Sequence, residues 1–157
     1  MGDIALSWND ATMHADIDIG ASDLVTDDGL QTAAYISLFS DRRAELGEEL
    51  PIGETSRRGW WGDTDAEVPG DMIGSRLWLL SREKNTPEVI TRANEYAREC
   101  LQWMIDDRVA KRIDIDVTAV PFGQQFGLVI QGKIYRPSGD PVQFKFDYAW
   151  QAQAAKT

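Results

Sequence analysis

From residue 112 onward, apolar and polar positions alternate. In "RIDIDVTAV" Ile113, Ile115, Val117 and Ala119 fall on one side. In "FGLVIQGKIY" Leu128, Ile130 and Ile134 do so, and in "VQFKFDYAW" Val142, Phe144, Phe146, Tyr148 and Trp150 do, with Gln143, Lys145 and Asp147 opposite. A period of two marks strands with one face buried, and "RPSGD" (136–140) joins the last two as a Pro/Gly hairpin turn. The stretch before them has a different period. In "NTPEVITRANEYARECLQWMIDDR" Val89, Ala93, Tyr96, Ala97, Cys100, Leu101 and Met104 recur at helical spacing, Thr86 stands at the N-cap and Pro87 at the first helical position. This predicts a helix of roughly twenty residues, about 30 Å long.

Weaker patterns precede that helix. "DIALSW" and "HADIDI" alternate over a few residues each and predict N-terminal strands within residues 1–22. "DDGLQTAAYISLFSDRRA" places Leu30, Ala33, Ala34, Ser37 and Leu38 at helical spacing, with Asp27 or Asp28 as N-cap and Arg42 and Arg43 beyond the last turn. "GSRLWLLSRE" (74–83) predicts a short helix with Leu77, Leu80 and Trp78 inward. The tail 151–157 is polar and expected to fray. The sum is one α+β domain over residues 1–157: a mostly antiparallel sheet, one long helix packed on it, two shorter helices and a long loop.

That loop, 45–71, is broken by Gly47, Pro51, Gly53, Gly59, Gly62, Pro69 and Gly70. Loops of this length in a compact domain are usually functional or disordered, and two adjacent tryptophans argue for an ordered, docked one. At its centre stands "RRGWWGD" (57–63). Trp and Arg are the residue types enriched at binding hot spots, and the flanking glycines allow close backbone approach. Neighbouring residues of an extended loop point opposite ways, which predicts one indole inward and one outward. The competing reading has the indoles capping this protein's own core, with Asp63 accepting a bond from an arginine. Arg42, Arg43, Arg57, Arg58, Trp60, Trp61 and Asp63 form the candidate partner-binding set.

Composition narrows the chemistry. A net charge of −10 opposes binding to nucleic acid or an anionic membrane, both polyanions, and six Trp in 157 residues favour packed protein contacts. No apolar run reaches a membrane-spanning length, and the N-terminus has no signal-peptide pattern. One cysteine, Cys100, excludes an internal disulfide and fits a reducing compartment. One cysteine and one histidine, His14, do not build a common zinc site, so no metal or cofactor is expected. His14 sits in an edge-strand pattern, and Cys100 on an apolar helix face acts as a small hydrophobe. No phosphate-binding glycine loop is present. The remaining catalytic option is a carboxylate pair of the glycosidase type, drawn from Asp63, Asp65 and Glu67 beside the tryptophans. Nothing in their spacing selects a pair, so the chain reads as a non-enzyme, with a peptidoglycan muramidase as the alternative.

Several stretches together carry a family likeness. "DLVTDDGLQTAAYISLFSDRRA", "RRGWWGD", "GSRLWLLSREK" and the helix opened by "TPEV" resemble the Mu-like phage baseplate proteins of the sheath-initiator family, within the small, lysozyme-like wedge proteins of contractile tails. The likeness spans residues 23–150. The wider group carries an acidic-Pro-Arg motif near its first helix; "SDRRA" stands in that place here without the proline. The resemblance implies a structural protein of the virion tail baseplate, assembled in the host cytoplasm and present in about six copies around the tube and hub-spike. Its partners would be other wedge proteins, the tube and hub, and the sheath, whose first ring it would template by strand exchange. Phe144, Phe146, Tyr148 and Trp150 on the last strand are the candidate strand-exchange residues. A protease-adaptor role is raised only by kinship within the wider group.

Overall fold

A computed structural model describes residues 3–4, 6–9, 14–17, 26–27, 29–122 and 125–149. The alternating C-terminal segments form one antiparallel sheet of three strands, β5 (Arg112–Phe122), β6 (Gln125–Tyr135) and β7 (Val142–Ala149), in that spatial order. The register pairs Ile115 with Gly132 and Gly132 with Phe144, and Val117 with Ile130 and Ile130 with Phe146. Ile115, Val117, Leu128, Ile130, Ile134, Phe144 and Phe146 are therefore on one face and buried, as the alternation predicts. Gly132 is needed for space. A Cβ there would lie 2.7 Å from Cζ of Phe144, whose ring crosses the gap and stacks on Phe146 at 5.5 Å.

The long helix α2 (Pro87–Asp106) lies on that apolar face, chiefly against β5. Thr86 caps it, its hydroxyl accepting the Val89 N–H at 3.4 Å, with Pro87 in the first turn. Its buried side chains are the seven of the predicted stripe. The first helix, α1 (Leu30–Phe39), packs against both α2 and β7. Tyr35 and Phe39 meet Phe146 edge-on at 5.6 and 5.5 Å, an arrangement that favours the ring quadrupoles. Leu77–Leu80 completes the core, with all four side chains buried.

Three expectations need correction. Neither Asp27 nor Asp28 is the α1 N-cap. Asp27 belongs to a short strand β4 (Thr26–Asp27), and the cap is Gly29 at φ 81°, a left-handed conformation that suits glycine. The short helix expected over 74–83 is a 3-10 turn of four residues. Burying four consecutive apolar side chains leaves no solvent side for an amphipathic α-helix to present. "DIALSW" is two strands: β1 (Asp3–Ile4) pairs with β4, and β2 (Leu6–Asn9) pairs with β3 (His14–Ile17). Thr32 of α1 ties this region down, its hydroxyl accepting the Leu6 N–H and donating to the Ile4 carbonyl. The tail 151–157 and Trp150 lie outside the described residues.

Candidate docking site

Between α1 and Leu77 the chain has almost no regular structure, so its backbone polar groups must find partners elsewhere. Ser75 provides the first anchor. Its N–H donates to Ser40 O and its carbonyl accepts the Arg42 N–H, both at 2.9 Å, and its hydroxyl donates to Leu38 O. Gly74 makes that close approach possible: at φ 95°, a Cβ would come within 2.4 Å of Ser40 O. Farther along, the Ala44 N–H donates to Arg57 O.

Arginines supply the second set of ties. The Arg57 guanidinium donates to the carbonyls of Glu45 and Leu46. Arg58 donates to Asp41 and Glu54, each at 2.9 Å, and its guanidinium sits 4.5 Å from the centre of the buried Trp78 ring. Burial opposes its charge, but the bonds to Glu54 and Asp41 outweigh this and hold its pKa above the usual value. Trp78 in turn donates its indole N–H to Arg42 O, while the Arg42 guanidinium faces Glu99 at 3.5 Å. Arg76 pairs with Glu48 and Glu99 and lies over the Tyr96 ring. Of the four candidate arginines, Arg42, Arg57 and Arg58 thus make intramolecular bonds that hold the loop, and among the described residues Arg43 reaches the Arg58 carbonyl alone, at 3.5 Å.

The tryptophans behave differently. Trp60 is 49% exposed and Trp61 81%. The expected split, one ring in and one out, does not occur, and neither ring caps the core. Opposite-facing neighbours require an extended chain at both residues. Here Trp60 is extended, but Trp61 opens a 3-10 turn, Trp61–Asp65, which swings both rings to the same side with centroids 5.3 Å apart. Both flanking glycines are explained. At Gly62 a Cβ would collide with the Trp60 ring at 2.3 Å, and at Gly59, φ 102°, it would lie 2.8 Å from Cβ of Arg43. Among the described residues Asp63 bonds no arginine; its Oδ1 accepts the Ile73 N–H at 3.2 Å, and its Oδ2 is out of solvent with no donor among them.

Beside the two rings lies an open groove of about 670 Å³ between α1, the 60–74 segment and the C-terminal half of α2. Trp60, Ile36, Val68 and Trp103 contribute its apolar surface. Asp63, Asp65 and Glu67 line it together with Asp71 and Asp107. The sequence pattern missed Ile36 and Trp103. The available signal was that each is a large apolar residue off the buried positions of its own helix. Cys100, also at the groove, is buried, and burial followed by the nearby Glu99 charge pushes its thiol pKa far up, as an inert packing residue requires. Among the strand-exchange candidates, Phe144 and Phe146 are core residues, and Tyr148 pairs through its backbone with Leu128. Strand β7 is at the sheet edge, with β6 its single strand neighbour among the described residues.

The family described as phage protein GP46 matches residues 30–141, which include both helices, the arginine-clamped loop and most of the sheet. The chain is 42% identical to the baseplate protein gp46 of Escherichia phage Mu over 151 residues, 96% of this chain and 98% of that one. It is 38% identical to the Mu-like prophage FluMu protein gp46 of Haemophilus influenzae over 150 residues, again 96% and 98% of the two chains.

Proposed function

The chain belongs to the phage protein GP46 family, and from that membership we propose that it is a structural component of a contractile-tail baseplate. In this reading it sits in the inner wedge around the tube and hub and offers the first sheath ring a surface to polymerise on. The phage Mu relative, a baseplate protein matched along nearly its whole length, supports the baseplate assignment. The observation in the molecule that carries the partner contact is the pairing of a clamped loop with two solvent-exposed indoles. A loop held by Arg57, Arg58 and Ser75 presents Trp60 and Trp61 with little ordering entropy left to lose on docking. Trp60, Trp61 and Asp63 make the contact, with Arg43 at its flank; Arg42, Arg57 and Arg58 serve it by shaping the loop. The edge position of β7 suits pairing with a sheath strand through its backbone.

Cryo-electron microscopy of assembled particles tests the placement. The chain is expected around the tube beneath the first sheath disc, with Trp60 and Trp61 against another subunit and β7 paired to a sheath strand. A chain at the baseplate periphery, or absent from the particle, overturns the reading. Trp61→Ala tests the loop separately. It should leave the melting curve in place and lower incorporation by roughly 30-fold, the equivalent of about 2 kcal/mol at a hot spot.

A further inference from the structure

We infer that the groove beside Trp60 is the seat for a segment of a neighbouring tail protein that carries an arginine or lysine among apolar side chains. The inference rests on the reading that this chain works inside an assembled tail, and adds the chemistry of what it takes there.

Two properties of the groove meet in one place. Its apolar surface stays open to solvent: Ile36, Trp60, Val68 and Trp103 are all exposed, and grouped around one depression they form the kind of patch that marks an interaction site. Its rim has one sign. Five carboxylates line it, and no lysine or arginine does among the described residues. Asp63 sharpens the point. The Ile73 N–H uses one of its oxygens, while the other is shielded from solvent with no donor among the described residues. A carboxylate held in that state costs free energy that a cation at the open side of the groove would offset through its charge.

The rest of the molecule indicates what kind of donor fits. At three other places among the described residues an aromatic ring and carboxylates occur together around a guanidinium of the same chain. Arg58 lies over Trp78 with Asp41 and Glu54, Arg76 over Tyr96 with Glu48 and Glu99, and Arg112 over Tyr135 with Asp114. The groove has the same elements, the indoles Trp60 and Trp103 and the carboxylate Asp63, without a described cation of its own. Trp103 has its N–H committed to Ser37 Oγ at 3.1 Å, which fixes the ring at the groove. A cation over an indole face beside a partly buried carboxylate is held by both the ring quadrupole and charge, and the apolar surface around it takes the flanking side chains.

The test uses the full chain in assembled particles. With benzoylphenylalanine in place of Val68 at the groove rim, ultraviolet light should join the chain to a peptide of a different tail protein, with Arg or Lys among apolar residues. Joining to residues 150–157 of this chain, which include Lys156, to a second copy, or to a peptide without a cation overturns the inference. So does the lack of any product in particles that contain the chain, as read by immunoblot. Absence of the chain from the particles is a distinct result, since it removes the baseplate reading as well. Asp63→Asn keeps the acceptor for Ile73 and removes the charge. It should lower incorporation on the order of ten-fold with an unchanged melting curve, whereas Asp114→Asn on the far face of the sheet should not. Wild-type incorporation of Asp63→Asn overturns the charge pairing.

Discussion

The helix-on-sheet half of this protein and its 41–76 segment solve the same problem by opposite means. In the first, Val89 through Met104 of α2 and the inner faces of β5, β6 and β7 give up apolar surface to one another, while their backbone polar groups are satisfied by helix and ladder. In the second, little side-chain surface is buried. The segment is held by discrete bonds, from Ser75 and Arg57 to backbone carbonyls and from Arg58 and Arg76 to carboxylates. Burial is non-directional and tolerates local adjustment, whereas the bonded segment depends on a few exact contacts. The difference explains why the bonded half can carry exposed tryptophans: its shape does not depend on hiding them.

Perturbing each half should expose the contrast. The largest effect is expected in the sheet. Phe146→Ala removes a ring that meets Tyr35, Phe39 and Phe144, and should lower unfolding stability by about 3–5 kcal/mol in a denaturant titration. The same packing means that deleting residues 140–157 would remove core side chains with the edge strand, so a sheathless phenotype from that deletion would report misfolding. Next comes Gly74→Ala, where φ 95° and the 2.4 Å approach to Ser40 O force the Ser40–Ser75 contact apart. The cost should be about 2–3 kcal/mol, with amide exchange rising first at Arg42 and Ser75.

A smaller loss is expected from Arg76→Met, which leaves Glu48 and Glu99 without their shared cation. The Arg76 side chain is 16% exposed but that of Glu99 36%, so solvent screens part of the interaction, and about 1–2 kcal/mol is expected, shrinking as salt is added. A salt-independent loss would mean that Arg76 acts by packing on Tyr96. The smallest effect belongs to Glu54. Hydrogen bonding to Arg58 and then to the Ser56 backbone holds its carboxyl below the ordinary value, so the folded state favours the ionised form. Its contribution is present above the ordinary carboxylate range and is lost as pH falls through the lowered value. Glu54→Gln should therefore flatten the acid side of the stability profile and leave the shape near neutrality unchanged. An unchanged acid limb would show that the loop clamp is independent of that pair.

The two halves also differed in how far they could be read in advance. The α2 stripe, its Thr86 cap and the strand faces follow from local periodicity, because each residue's environment there is set by neighbours two to four positions away. The candidate site was only half legible. "RRGWWGD" marked the place, and the glycines marked close approach, but the outcome for each arginine hung on distant groups. Arg58 finds Asp41 seventeen residues back, and Trp78 reaches Arg42 across thirty-six. Ile36 and Trp103 join the groove only because α1 crosses α2.

The sequence by itself determined the α+β class, the long helix, the buried face of each major strand and the position of the tryptophan loop. These depend on spacing along the chain, and spacing is written in the residues. The tertiary structure alone decided that both indoles face solvent, that three of the four arginines hold the loop, and that one oxygen of Asp63 is shielded beside an acidic, apolar groove with no donor among the described residues. Those outcomes depend on which remote segment arrives at a given donor or ring, and a local pattern does not encode that arrival.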